Sequence, residues 1–208
     1  MTGRWVWPVA ALAWCAMIAH RVWSPGPSCH DGLSTAAELG LWLAMVCAMM
    51  LPFTARHVHT AATRSLWPRR HRAAALWTVA YLVVWTALGP LAIALHRARV
   101  PAWPLFAAAA LWQLASARAV LHMQMHRRSV LAPSGVRADR DVLAYGARIG
   151  VVCAATCGPL MLACAVSGHA PLAMAGGAAL TWWERRAFRP PRARRLAFAA
   201  LVLAAACV

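Results

Sequence analysis

Negative charge is nearly missing from this chain: in 208 residues the only acids are Asp31, Glu38, Asp139, Asp141 and Glu184. Lysine is missing altogether, so all 21 basic residues are arginine and the formal charge is +16. Charged residues of both signs reach only 12% against 62% hydrophobic, where a soluble domain is about one quarter charged. A water-soluble fold is therefore not expected. The shortage of carboxylates also removes the donors that magnesium, calcium or manganese require. No buried acid pair, nucleophile elbow or zinc-protease motif is present, which argues against an enzyme. Without a clear internal repeat, a secondary transporter of organic solutes is the weaker alternative. No linker divides the chain, so residues 1–208 read as one integral membrane domain. No small-residue cleavage pattern precedes His20 and Arg21, so the first apolar stretch reads as an uncleaved helix.

What the chain does have is long apolar runs. A membrane-spanning helix needs about 20 apolar residues, and residues 5–22, 39–58, 73–95, 103–122 and 143–166 meet that length. Residues 171–183 and 196–208 are shorter and complete the set. The expected fold is all-α, a polytopic transmembrane helix bundle of six to seven spans. Proline at 52, 90 and 159 falls inside these runs. In a membrane it is tolerated where a neighbour satisfies the carbonyl it frees, so each marks a possible kink.

The arginines lie in short clusters between the runs. Arginines 56, 64, 69, 70 and 72 follow the second run, 127, 128, 137 and 140 the fourth, and 185, 186, 189, 192, 194 and 195 the sixth. With seven spans, all three clusters fall on one side, which the positive-inside rule makes cytoplasmic, together with the N-terminus. Such placement points to anionic lipid headgroups as the partner and not to nucleic acid, since no single basic face or tail forms. Trp5, Trp7, Trp23, Trp67, Trp103, Trp182 and Trp183 sit near run ends, where interfacial aromatic anchors belong.

Seven cysteines, at 15, 29, 47, 153, 157, 164 and 207, lie mostly inside apolar runs and read as reduced thiols rather than a disulfide framework. At about 100° per residue, Cys153, Cys157, Met161 and Cys164 share an arc of about 80° on one helix. The second run adds Met45, Cys47, Met49 and Met50, with Met45 and Met49 on one face. If the two helices are antiparallel, Met49 falls at the depth of Cys157 and Met45 at that of Met161. Thiol and thioether donors select soft monovalent ions, above all Cu(I). The same residues are also ordinary, adaptable core packing, which leaves open a non-metal structural or interaction subunit. His122 and His126 are spaced i,i+4 and can face one ion or simply end a helix. Cys29-His30-Asp31 reads as a metal-capturing loop or a plain polar one. Glu184 beside Arg185 and Arg186 reads by default as a local ion pair.

Three segments resemble a bacterial domain-of-unknown-function family described as predicted metal-binding integral membrane proteins, some members of which are labelled copper chaperones. Trp42-Leu-Ala-Met45-Val-Cys-Ala48-Met49-Met50-Leu-Pro52 resembles its tryptophan, methionine and Ala-Met-Met-x-Pro signature. Tyr81 to Trp85 resembles its Tyr-x-x-x-Trp helix. Gly146, Gly150, Cys153, Cys157, Leu160 and Met161 align with its glycine and cysteine pattern, and Glu184 with a late acidic position. The likeness runs from about Leu39 to Arg185. Thr156 and Gly158 depart from it by replacing a cysteine and a tryptophan, and His122, Met123, Met125 and His126 stand where it has a Cys-x-x-x-Cys pair. The resemblance implies a multi-pass protein of the bacterial inner membrane that handles copper, with a copper-accepting protein as a possible partner.

Overall fold

The computed structural model describes residues 4–23, 33–125, 127 and 129–186, and its regular structure there is entirely helical. The helices are α1 (Val6–Trp23), α2 (Thr35–Met49), α3 (Leu51–Thr63), α4 (Arg70–Arg97), α5 (Ala102–Leu114), α6 (Ser116–Gln124), α7 (Gly135–Val166) and α8 (Pro171–Arg186). A 3-10 turn at Trp67–Arg69 leads into α4. Local sequence sets the ends of these elements. The Ser34 hydroxyl accepts from the Ala37 amide to cap α2, and Glu38 sits in its positive first turn. At the end of α7, Gly168 and His169 take left-handed backbone, with φ of 68° and 57°. The His169 amide then donates to the Cys164 carbonyl at 3.0 Å, a left-handed C-terminal cap.

The core is the pairing of α4 with α7, against which α2, α3, α5 and α6 pack. Two glycines permit the close approach. A Cβ on Gly146 would stand 2.4 Å from the Trp77 carbonyl oxygen, and one on Gly150 would stand 3.0 Å from Val84 Cβ. These residues form a Gly-x-x-x-Gly stripe of the kind that lets helix backbones touch. The two helices run parallel. At one end Arg69 and Arg72 clamp Asp139 at 2.5 and 2.7 Å; at the other, Ala92 and Ala165 line one cavity. Helix α2 runs the opposite way, with buried Glu38 paired to Arg97 at 2.6 Å.

Two of the arginine clusters share an end, as their spacing predicts. Arg64 donates to the Ser129 carbonyl, Arg69 to the Gly135 carbonyl, and the Leu66 amide to the Pro133 carbonyl. Arg148 joins the same end through the Arg127 carbonyl and the Ser129 hydroxyl. The third cluster lies mostly outside the described residues. Tryptophans expected at run ends are exposed, Trp23 at 84%, Trp67 at 74% and Trp103 at 62%, whereas Trp42, Trp77 and Trp85 are buried.

The described helices differ in their bounds from several expected spans. Among the described residues, three helical segments are long and apolar enough to cross a membrane, Val6–Trp23, Trp67–Arg97 and Gly135–Val166, or four if the bent pair Thr35–Met49 and Leu51–Thr63 counts as one. The run 39–58 is not one straight helix: it bends by 72° between Thr35–Met49 and Leu51–Thr63, next to Pro52, which has no N–H to donate to the Ala48 carbonyl. Beyond the bend, α3 buries Leu51, Thr54 and Val58 and exposes Arg56 and His59. The run 103–122 also breaks, at Ala115, whose ψ of 131° is extended. The run 171–183 becomes the 16-residue α8, and 196–208 lies outside the described residues.

Two of the three interior prolines are answered by an indole. Trp14 Nε1 donates to the Ala48 carbonyl at 3.1 Å and Trp112 Nε1 to the Ala155 carbonyl at 2.9 Å, the acceptors four residues before Pro52 and Pro159. Trp42 Nε1 donates at 2.8 Å to the Trp85 carbonyl, one residue before the acceptor that Pro90 frees. Helices α4 and α7 continue through their prolines. Trp112→Phe should destabilise the protein by about 1–3 kcal/mol by stranding the Ala155 carbonyl. In a Pro159→Ala background, where the amide at 159 is restored, that cost should largely disappear. Equal losses in both backgrounds, measured by denaturant unfolding, would sink this account.

Candidate functional site

The stripe on α7 is buried as its spacing implies. Cys153, Met161 and Cys164 are fully buried and Cys157 nearly so. On α2 and at its end, Met45, Met49 and Met50 are equally buried, and all seven belong to one continuous core. The five described cysteines are reduced. Tyr81 on α4 donates its hydroxyl to Cys153 Sγ at 3.3 Å, and the Thr156 hydroxyl lies 3.6 Å from Cys157 Sγ.

The depth relation expected between α2 and α7 follows from the cavity that Glu38, Trp42 and Ala165 share. From that level the two chains descend in opposite sequence directions at about 1.5 Å per residue. Met45 therefore falls near the level of Met161, and Met49 near that of Cys157. The two helices are not a principal packing pair; α4 and α8 pack against both. Their side chains meet at Gly177 of α8, where a Cβ would stand 3.1 Å from Met49 Cε and 3.2 Å from Leu160 Cδ2. Leu160 lies about 20° from Cys153 around α7, at the edge of the face that carries the thiols.

Sequence reasoning missed two buried or part-buried residues, Met174 and His57. Met174, fully buried, lies on α8 one turn before Gly177. Its only sequence signal was its place in a short apolar run. His57 stacks on Trp77 with rings 2° from parallel, and its Nδ1 lies 2.7 Å from the Tyr145 hydroxyl. It begins an aromatic column of Trp77, Tyr81 and Trp85 on one face of α4, closed by Trp42 at 6.0 Å from Trp85. Tyr81 is held in this column, which fixes its hydroxyl on Cys153. Tyr81→Phe should leave the fold intact and raise the reactivity of Cys153 toward a small apolar thiol reagent, read by mass spectrometry; unchanged labelling would count against the contact.

The histidine pair is not brought to this site by anything described. His122 lies in α6 with its side chain outside the described residues, and His126 lies outside them, as do Cys29, His30, Asp31 and the side chain of Glu184. Among the described residues, no three His, Cys, Asp or Glu side chains converge on a point that could hold a metal.

A family model described as copper chaperone, PpoB2, matches residues 39–208. The chain belongs to the PpoB2 family. The match takes in every sulfur of the stripe and of α2, and it is the family to which the Ala-Met-Met-x-Pro, Tyr-x-x-x-Trp and glycine-cysteine segments pointed. In this PpoB2 member the two stripe glycines set the approach of α4 to α7, and the signature Trp42 ties α2 to α4 through the Trp85 carbonyl. No curated protein and no solved structure matches the chain.

Proposed function

We propose that this protein is an integral membrane carrier of Cu(I), with copper as its cargo and no turnover of its own. The observation that supports this reading is that Cys153, Cys157 and Met161 of α7 and Met45, Met49 and Met50 at α2 are all buried in one core, in a chain of the copper-chaperone family. Cys153, Cys157 and Met161 supply the α7 donors, and Met45, Met49 and Met50 the donors from α2. Such a set suits a soft monovalent ion and repels hard divalent ones. One thiolate with Cu(I) is electrically neutral, which lowers the several kcal/mol that burying a bare charge costs. His122 and His126, near the arginine-rich end, are assigned to hand the ion to a copper-accepting protein.

The same reading places the bundle in a bacterial inner membrane with seven spans, including 171–183 and 196–208. The N-terminus and the arginine-rich end are cytoplasmic, and that end rests on anionic headgroups. Its support is the packing of the 64–72 and 127–140 segments at one end, and the three helices of spanning length. A protease site inserted after Ser134 should be cut in inverted membrane vesicles and protected in intact cells; the reverse pattern would overturn the orientation. The cargo is tested directly by titrating purified, reduced protein with Cu(I) against a colorimetric Cu(I) chelator. One tightly held Cu(I) per chain is expected. Absence of stoichiometric binding would leave the sulfurs as packing and the protein as a structural subunit.

A further inference from the structure

At the arginine-poor end, opposite the clamp on Asp139, a small cavity is lined by Glu38, Trp42, His96, Ala165 and His169, among others. Two of its lining residues are buried ionisable groups: Glu38 is 3% exposed and His169 6%. About 10 Å³ is open to the centre of a water-sized sphere, room for roughly one water or one small ion. Its place matters as much as its chemistry. Trp42 lies one turn before Met45 on α2, and Ala165 one turn after Met161 on α7, so the cavity stands directly over the first layer of the sulfur stripe.

Resting on the copper reading above, we infer that this cavity is the loading site, where Cu(I) is received by the His96 and His169 imidazoles before it passes to Met45 and Met161. Imidazole is an accepted copper ligand, and Cu(I) is content with two donors. Two neutral imidazoles and Cu(I) carry one positive charge. The Glu38 carboxylate offsets it and lowers the cost of bringing the ion out of water. In the empty protein that carboxylate is held by Arg97, whose side chain is 51% exposed and so can swing into water when a cation arrives. Arg99, which follows α4, is also exposed. The left-handed cap of α7 aims His169 into the cavity, since its amide bonds the Cys164 carbonyl. No bond is made or broken in this step except ligand exchange on the ion.

The test is the rate of loading, followed by stopped-flow with acetonitrile-held Cu(I) on the reduced full-length protein, alongside the equilibrium stoichiometry. Glu38→Gln should load about 10-fold more slowly through loss of the focusing charge. The pair His96→Gln with His169→Asn should be at least as slow, asparagine tolerating the left-handed backbone. Both should keep the wild-type stoichiometry, which shows that they fold. Arg97→Gln should load no more slowly than wild type, because Arg97 supplies no donor to the ion and its positive charge opposes a cation's approach. If both Glu38→Gln and Arg97→Gln slow loading equally, the ion pair is merely structural and the inference fails. It fails too if the variants load at the wild-type rate. A wild-type protein that takes up no Cu(I) at all overturns the carrier function itself.

Discussion

Replacing Cys153 and Cys157 together by alanine removes stoichiometric Cu(I) binding while the helical fold persists. The two thiols are the only donors in the α7 stripe that can lose a proton near the level of Met49, so without them an ion in the core has thioethers alone and no compensating charge. Losing outer partners of a metal ligand costs roughly 10–100-fold in affinity, and loss of both ligands themselves should exceed that range. The fold should survive because the change is small in volume: each Cys→Ala removes one buried sulfur, within the usual span of about 0.5–3 kcal/mol. A serine pair separates the two effects. Serine keeps an acceptor for the Tyr81 hydroxyl, which now bonds Cys153, yet offers hard oxygen that Cu(I) disfavours. Both pairs should retain wild-type helicity and lose copper. Retention of one tightly held Cu(I) in either pair would remove the stripe from the mechanism.

Gly146→Ala has the largest expected effect on stability. Its new methyl would lie 2.4 Å from the Trp77 carbonyl oxygen, a backbone atom that no rotamer change can move. Over-packing of this kind costs about 1–3 kcal/mol or more, and here it forces apart the central pair α4 and α7. The separation also draws Tyr81 away from Cys153, so copper affinity should fall with stability. Gly150→Ala meets the Val84 side chain at 3.0 Å, which can yield, and should cost less. Gly40→Ala meets nothing within 4 Å and should stabilise α2 by up to about 1 kcal/mol through helix propensity. Thermal unfolding of the three variants in detergent checks the order. Equal behaviour of Gly146→Ala and Gly40→Ala would mean that the α4–α7 approach is not as described.

The positions of bends show where one-dimensional reading stops. Pro52, Pro90 and Pro159 look alike in sequence, each inside an apolar run, yet only Pro52 coincides with a 72° turn. The difference lies after the proline: α3 carries Arg56 and His59 on its outward face, so it leaves the bundle axis, while the residues after Pro90 and Pro159 remain apolar and continue. The break at Ala115 had no such marker. It accompanies the use of Trp112 and Arg118 to bond the Ala155 and Thr156 carbonyls beside Pro159, a requirement set by another helix. His57 was illegible for the same reason, because its partners Trp77 and Tyr145 are 20 and 88 positions away.

By itself the sequence determined the helical class, the scarcity of carboxylate, the common end of two arginine clusters and the angular stripe of Cys153, Cys157, Met161 and Cys164. These follow from composition and from the 3.6-residue period, which are local. Only the tertiary structure decided that α4 and α8 each pack against both α2 and α7, that Met174 is buried in the same core as the sulfurs, and that Glu38, His96 and His169 line one cavity. Those relations depend on how closely backbones approach at Gly146, Gly150 and Gly177. That distance is set by packing between segments far apart in the chain, and no local period encodes it.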